Sequence, residues 1–586
     1  MPAFVRKPLN ILLQEEATGQ LVRTLGLLDL TAIGIGGTVG SGVFSVVGSV
    51  AANDCGPSVI LAILIGSVGC LLTGNAYVKL SRAIPSTGSV YAYAYHALGE
   101  VFAVICASCL TLEYAFSGSA VAVSWGSKFG SAVNNDNLDA MMLGSLKLNW
   151  AAAIICIPCV LILLQGLALG KDFSNIMTLL KCAVVMVIIV SSLWFFQVDN
   201  LTPFVPPRAE VKGKSRYGID GLFRGAVDCF FAFVGFDEVC CLAGEAKNPK
   251  KDLPRAVMLS VMGTAIFTFL AALGVVGMQD YMNIDPNDGF VVGLKAHGWK
   301  GVATVISIGE LVTLPLVVFI SFLPQARLFY AMAMDGLMPL MFTRLRNGVL
   351  LKSNILIGVI GTLLAMVVDF DMFNDMISAG VLLSFVLCNC SLIMLTLAPV
   401  SQDSGVSASF LIGESEVEGS AEAEVDGAQN RDSFRRPCGM ALGGYCLATF
   451  VCMVLTTGLT LPTTVLGTLS TSSYVSKVVA IVFASIAGVL ALCCLGFLAG
   501  RKFNKKLGRV WTPLAAILFN SFMLATLSFQ GFLIIAGYFV VVLLGYFAYG
   551  SRHSAGNHED WARRSLLIDQ RSATNSLNST CATPAQ

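Results

Sequence analysis

The sequence predicts an all-α polytopic membrane protein of about fourteen transmembrane spans, and three observations predict it. First, 55% of the 586 residues are hydrophobic, only 12% are charged, and the mean hydropathy is +0.76; a soluble domain carries roughly 25% charged residues. Second, apolar runs of roughly 17–25 residues, enough to cross a bilayer, recur along most of the chain. Third, lysine and arginine gather between alternate runs, as they do where positive loops stay on the cytoplasmic side. A chain of this composition cannot hide its apolar surface in one soluble core, so lipid has to be its solvent.

The apolar runs lie near 25–49, 57–82, 98–125, 150–169, 174–196, 221–245, 256–279, 302–333, 353–369, 376–398, 439–459, 478–500, 510–528 and 531–550, called here spans one to fourteen. With both termini inside, the cytoplasmic face holds Arg6, Lys7, Arg23, Lys79, Arg82, Lys171, Lys247, Lys250, Lys251, Arg255, Arg344, Arg346 and Lys352. It also holds the basic run from Arg501 to Arg509. Against this orientation stands one basic loop with Arg208, Lys212, Lys214 and Arg216. The reading divides the chain into a cytoplasmic segment (1–24), a transmembrane core (25–398, with halves 25–196 and 221–398), an acidic loop (399–438), spans eleven to fourteen (439–550) and a tail (551–586). The loop, rich in glutamate, serine and glycine, and the polar tail with Arg563-Arg564-Ser565 are expected to be disordered and cytoplasmic. Residues 1–24 have no small-residue cleavage site after a short apolar core, so no removable signal peptide is expected.

The composition also excludes functions. Most of the eighteen cysteines sit inside apolar runs, where they read as small hydrophobes. The Cys106/Cys109 and Cys156/Cys159 spacings lack the second pair or the histidines that a zinc site needs, so neither metal nor cofactor is expected. The four histidines, His96, His297, His553 and His558, are not central to any span, and no nucleophile–base pair stands out in the bilayer. The chain is therefore not read as an enzyme.

Two segments carry the candidate site. Span one contains Gly34-Ile35-Gly36-Gly37-Thr38-Val39-Gly40-Ser41-Gly42-Val43-Phe44. That many glycines cost helix stability unless backbones must approach closely or open. Span six is interrupted by Phe233-Val234-Gly235-Phe236-Asp237. Interrupted segments at matching places in two halves mark the binding site of secondary transporters built from inverted repeats, the leucine-transporter fold among them. Opened backbone there exposes N–H groups that suit a carboxylate and C=O groups that suit an ammonium. A zwitterionic amino acid is the natural ligand.

These motifs resemble those of the amino acid/polyamine/organocation superfamily. Gly40-Ser41-Gly42-Val43-Phe44 is similar to its G-[ST]-G-[IV]-F motif, and Phe233 to Asp237 to its F-x-G-F-D. Glu245 to Pro254 resembles the E-x-x-N-P-x-x-x-[IL]-P that follows. Ser86 to Tyr91, Leu112-Glu113-Tyr114, Tyr330-Ala331-Met332 and Asp335-Gly336-Leu337 match further motifs. The stretch from Asp369 to Leu383 and the fourteen-span count resemble the cationic amino acid transporter branch. The resemblance covers about residues 25–400. It implies five-plus-five inverted repeats followed by four extra helices. It also implies a substrate carboxylate on the backbone of Gly40, Ser41 and Gly42, an amino group on carbonyls near Thr38 and Phe233, and Phe236 as a gate.

Ionisable groups inside the membrane are costly and normally face a cavity or a partner. Lys181 in span five lies too deep to reach either surface easily. In proton-coupled relatives a lysine here takes the place of sodium, so Lys181 is expected to couple its protonation to span one; the alternative is a structural lysine bonded to span-one carbonyls. Glu113, Asp237 and Glu245 match the family pattern as supporting or gating groups. Asp228, Glu238 and Glu310 depart from it. Arg224 and Asp228, one helical turn apart, are expected to neutralise each other. Glu310 has no partner nearby in sequence and is expected to hold the charged end of a cationic substrate; Pro315 is expected to kink span eight and free a carbonyl.

The expected function is sodium-independent, proton-coupled secondary transport of arginine, lysine or ornithine by alternating access. A broader amino acid transporter and a non-transporting amino acid sensor are the alternatives. The expected partners are the substrate, protons and the lipid bilayer, without nucleic acid. The plasma membrane is the expected location, with a vacuolar or lysosomal membrane as the alternative.

Overall fold

The computed structural model describes residues 5–18, 23–133, 141–143, 146–165, 167–211, 214–346, 349–397, 440–455, 474–500, 504–527 and 529–558. The acidic loop and the tail beyond 558 lie outside these residues. Almost every described element is a helix, as a bilayer requires of a chain that must satisfy its own backbone hydrogen bonds. Seven helical stretches among the described residues are long and apolar enough to cross a membrane; five further apolar helices are shorter. Two short antiparallel hairpins interrupt the helices: β1 (Met141–Leu143) with β2 (Leu146–Leu148), and β3 (Ala209–Val211) with β4 (Lys214–Arg216).

An N-terminal helix, α1 (Leu9–Thr18), precedes span one, which runs as α2 (Leu27–Ser41) and stays helical to Cys55 through π-helical turns at Gly42–Val46 and Ala51–Cys55. Asp29 starts it by accepting the Gly26 N–H at 2.9 Å, a side chain satisfying a donor that the helix end leaves free. Span two is Val59–Ala83, and span three runs from Glu100 through a π-turn at Leu112–Phe116 to Val133. Spans four and five are Trp150–Gln165 and Leu167–Trp194. Span seven, Pro249–Met278, places Pro249 in the first turn, where its missing N–H costs nothing. Span eight, Lys300–Met334, spans nine and ten follow (Leu351–Val367, Phe370–Leu397).

Small residues line several of the closest helix contacts, and the exposed large aliphatics lie on the outside of the bundle. Leu61, Leu64, Val68 and Leu71 form one exposed stripe on span two at helical spacing, which is the lipid-facing surface. Inside, Gly34 lies so close to span seven that a Cβ there would meet the Ser260 Oγ at 2.1 Å and the Ser260 Cβ at 2.9 Å. Span seven packs against spans one, two and five, and span eight against spans one, three and five. Between helices in lipid, such close approach supplies dispersion contact where the hydrophobic effect cannot.

Gly34→Leu is expected to cost about 1–3 kcal/mol through overpacking. Gly537, which has open space around it, should accept alanine without loss. Thermal melting of the two purified variants in detergent checks the contrast.

Candidate functional site

Span six does break. An α-helix (Gly218–Asp228) tightens into a 3₁₀ turn (Cys229–Phe233), the chain turns at Val234–Asp237, and a second 3₁₀ segment runs from Glu238 to Glu245. Gly235 has φ +122°, a conformation open only to a residue without Cβ. A Cβ at 235 would also stand 3.1 Å from the Thr38 backbone nitrogen, so the break abuts span one directly. Gly42 sits equally close to Ala232.

Span one departs from the expectation of an opened backbone at Gly40, Ser41 and Gly42. It remains helical, and the Gly42 N–H donates to the carbonyls of Thr38 and Val39. The physical reason is that a π-turn absorbs one extra residue while keeping each buried N–H bonded. The glycines here serve close packing. In this conformation, donors expected to face a carboxylate are satisfied within the helix.

Span five is laced to span one by three side chains at three-residue spacing. Asn175 Nδ2 donates to Asp29 Oδ1 at 2.8 Å, Thr178 Oγ1 to the Ala32 carbonyl at 3.0 Å, and Lys181 Nζ to the Gly36 carbonyl at 2.6 Å. Lys181 is fully buried, and a Cβ on Gly40 would lie 2.7 Å from its Nζ. Thr38 Oγ1 bonds the Gly34 carbonyl and lies 2.6 Å from Thr264 Oγ1 of span seven. Phe233 is buried next to Gly66 of span two. Phe236 packs edge-on to Tyr77 and tilted against Phe385, with centroids 5.6 and 5.7 Å away.

Carboxylates surround the break. Tyr114 OH donates to Asp237 at 2.9 Å, and Ser384 Oγ reaches Glu113 at 3.4 Å. Glu245 is clamped by Arg327 of span eight, with Nη2 to Oε1 at 2.7 Å and Nε to Oε2 at 3.3 Å. The Glu245 carbonyl also receives the N–H groups of Thr24 and Leu25, tying the end of span six to the start of span one.

Glu310 is not without a partner. Lys128 Nζ donates to its Oε2 at 2.7 Å, to Asp288 Oδ1 at 3.2 Å and to the Asn287 carbonyl at 2.7 Å. Glu310, expected to hold the charged end of a substrate, is thus engaged within the protein in this conformation: the lysine belongs to span three, 182 positions away, and span three extends past the expected residue 125 to Val133. Arg224 donates to Asp54 at 2.7 Å, with Asp228 also in its field. Pro315 does free a carbonyl: the one it leaves unbonded, Leu311 O, accepts Trp125 Nε1 at 2.8 Å.

Near the start of the described residues, Lys7 bridges Glu15 and Asp335, the latter at 2.6 Å, and Tyr91 OH donates to Asp335 at 2.7 Å. A cavity of about 30 Å³ remains there, lined by Lys7, Ser86, Thr87, Tyr91, Tyr330 and Asp335 among others. Glu100 accepts from Tyr95, Tyr546 and Ser554, and the Ala555 N–H donates to the Asp335 carbonyl at 2.9 Å. Among the described residues no group of His, Cys, Asp and Glu is arranged to hold a metal. Sequence reading missed Lys7, Lys128 and Arg327 as site residues; only their partners drew notice.

The geometry defines an α-helical integral membrane protein with one broken span pressed against a glycine-rich neighbour at the centre of the bundle. Residues 25–403 match the amino acid permease family. The chain is 30% identical over 403 residues to the methylthioribose transporter of Bacillus subtilis, covering 67% of this chain and 85% of that one. It is 30% identical over 438 residues to the vacuolar cationic amino acid transporter 4 of Arabidopsis thaliana, covering 72% of each. It is 30% identical over 390 residues to the branched-chain amino acid permease BcaP of Bacillus subtilis, covering 64% of this chain and 81% of that one. The chain belongs to the amino acid permease family of the amino acid/polyamine/organocation superfamily, in its cationic amino acid transporter group.

Arg327→Met leaves Glu245 buried and unpaired, and is expected to cost about 3–5 kcal/mol. Adding Glu245→Gln should return most of that loss in detergent melting curves. Burial opposes the charge on Lys7, but Asp335 and Glu15 outweigh it and its pKa lies above the ordinary value. A raised lysine pKa gives stability that is complete below the unfolded value, about 10.4, and fades only as pH climbs through the folded one. The contribution of Lys7, measured as the melting difference between the parent and Lys7→Met, should therefore stay level from pH 5 to 9.

Proposed function

We propose that this protein is a sodium-independent secondary transporter of amino acids, with cationic amino acids as its substrates and protons as the coupling ion. The observation that carries this reading is the meeting of three elements at mid-bundle: the Gly235 break, the Gly36–Gly42 stretch of span one, and Lys181 on the Gly36 carbonyl. Lys181 fixes span one with a single charged group. A change in its protonation would weaken or restore that bond, which is the differential interaction that coupling requires. Substrate is bound between spans one and six after the span-one helix yields its Gly40–Gly42 donors, and the N- and C-termini face the cytoplasm.

Two clamps on span eight support alternating access as the mechanism. Its Glu310 is clamped to span three by Lys128, while Arg327 and Asp335 near its other end hold Glu245 and Lys7. Opening toward either face entails releasing one set while the other holds. Relatives named for cationic and for branched-chain amino acids support amino acids as the class. The engagement of Glu310 by Lys128 favours a second reading in which neutral amino acids are also carried.

Uptake in proteoliposomes from a panel of amino acids, scanned over pH with sodium removed, tests the proposal. Arginine, lysine and ornithine should accumulate under an inward proton gradient, unchanged by sodium. Lys181→Met should cut uptake at least tenfold or abolish its pH dependence. Retention of normal pH dependence in that variant eliminates the coupling role, and amino acid binding without uptake identifies a sensor.

A further inference from the structure

Toward the ends of the bundle each buried carboxyl has partners. Glu245 has Arg327, Glu310 has Lys128, Asp335 has Lys7, and Glu100 has the hydroxyls of Tyr95, Tyr546 and Ser554. At the break in span six this matching stops. Glu113, Asp237 and Glu238 are at most 1% exposed and lie in one another's electrostatic reach. One oxygen of Glu113, one of Asp237 and both of Glu238 have no hydrogen-bond partner. The buried Tyr77 hydroxyl, also without a partner, belongs to the same neighbourhood. Among the described residues no lysine or arginine forms an ion pair with any of the three.

Glu238 differs from its two neighbours. Glu113 and Asp237 are each held by a hydroxyl through one oxygen, whereas both oxygens of Glu238 are unclaimed. Ser321 of span eight is the hydroxyl that lies beside it. On the other side, a Cβ on Gly37 would stand 3.4 Å from Glu238 Oε2 and 3.5 Å from the Gly235 Cα. Glu238 therefore sits where the break, the glycine stretch of span one and span eight converge. A carboxylate with two open acceptors suits a guanidinium, which takes both, or an ammonium. Left unpaired in this position, its charge would be costly.

We propose that Glu238 is the specificity-determining carboxylate of this transporter, receiving the charged end of a cationic amino acid side chain when span one shifts away from Gly235. Asp237 and Glu113 lie beside it. This inference rests on the amino acid transport reading and assigns to Glu238 the role expected of Glu310, which Lys128 holds.

The test compares radiolabelled arginine and leucine uptake, and thermal stabilisation by each, for the full-length parent, Glu238→Gln and Glu238→Asp. Glu238→Gln should lose at least tenfold in kcat/KM for arginine, chiefly through KM, with leucine uptake within twofold of the parent. Glu238→Asp, which keeps the charge, should recover part of the arginine activity. Unchanged arginine uptake in Glu238→Gln overturns the proposal. So does an equal fall for both amino acids in both variants, which assigns Glu238 to coupling or packing. A parent that carries leucine but neither binds nor carries arginine overturns the specificity role and leaves amino acid transport standing; a parent that neither binds nor moves any amino acid overturns both.

Discussion

The structure depends on one close approach: the backbone of span one at Gly37 and Thr38 pressed against the turn at Gly235. A broken helix in a bilayer leaves peptide groups that lipid cannot satisfy, so the break persists only where protein covers it. Glycines at 37 and 42 allow that cover, since a Cβ at 42 would meet the Ala232 carbonyl at 2.9 Å. Span five then holds the covering helix in register through Asn175, Thr178 and Lys181. Removing the glycines would separate the spans, and separating the spans would leave the turn at 235 without its support.

Around this centre, span eight works as a pillar. Glu310 and Arg327 are 17 positions apart, about 25 Å along an α-helix, close to the thickness of the hydrocarbon core. The two ion pairs thus hold span eight at two well-separated levels, and all four side chains are almost completely buried. Pro315 lies between them, and the carbonyl it frees is taken by Trp125. The local weakness in the pillar is consequently bonded to span three, the same span that supplies Lys128. Motion of span eight relative to span three therefore strains a hydrogen bond and an ion pair together.

Much of the helical order was legible because apolar runs and glycine breaks are local signals. Phe233 to Asp237 announces its own interruption: a glycine followed by an aromatic and a carboxylate has little reason to sit in a continuous lipid-facing helix. Span one was harder, because glycine permits both an opened backbone and a close contact, and sequence does not say which. The ion pairs were illegible for a different reason. Lys128 lies beyond the apolar run near 98–125, and its partner is 182 positions downstream. Lys7 read as one more positive charge on a cytoplasmic segment, whereas it is buried against Asp335. Pairings between distant spans are set by tertiary packing, which no periodicity reports.

The distribution of charge follows from these constraints. Near the boundaries, pairing a carboxylate with lysine or arginine is stabilising chiefly because breaking it would strand a buried ion, and such pairs suit clamps that hold or release as a unit. At the centre, on the transport reading proposed above, a permanent lysine or arginine partner would occupy the position that a substrate or proton visits. Lys181 avoids this by bonding a backbone carbonyl rather than a carboxylate, and the acids at the break are left to hydroxyls or to nothing. An interior arranged in this way leaves buried acceptors without a partner among the described residues, and on the transport reading proposed above a mobile positive charge is what would complete them.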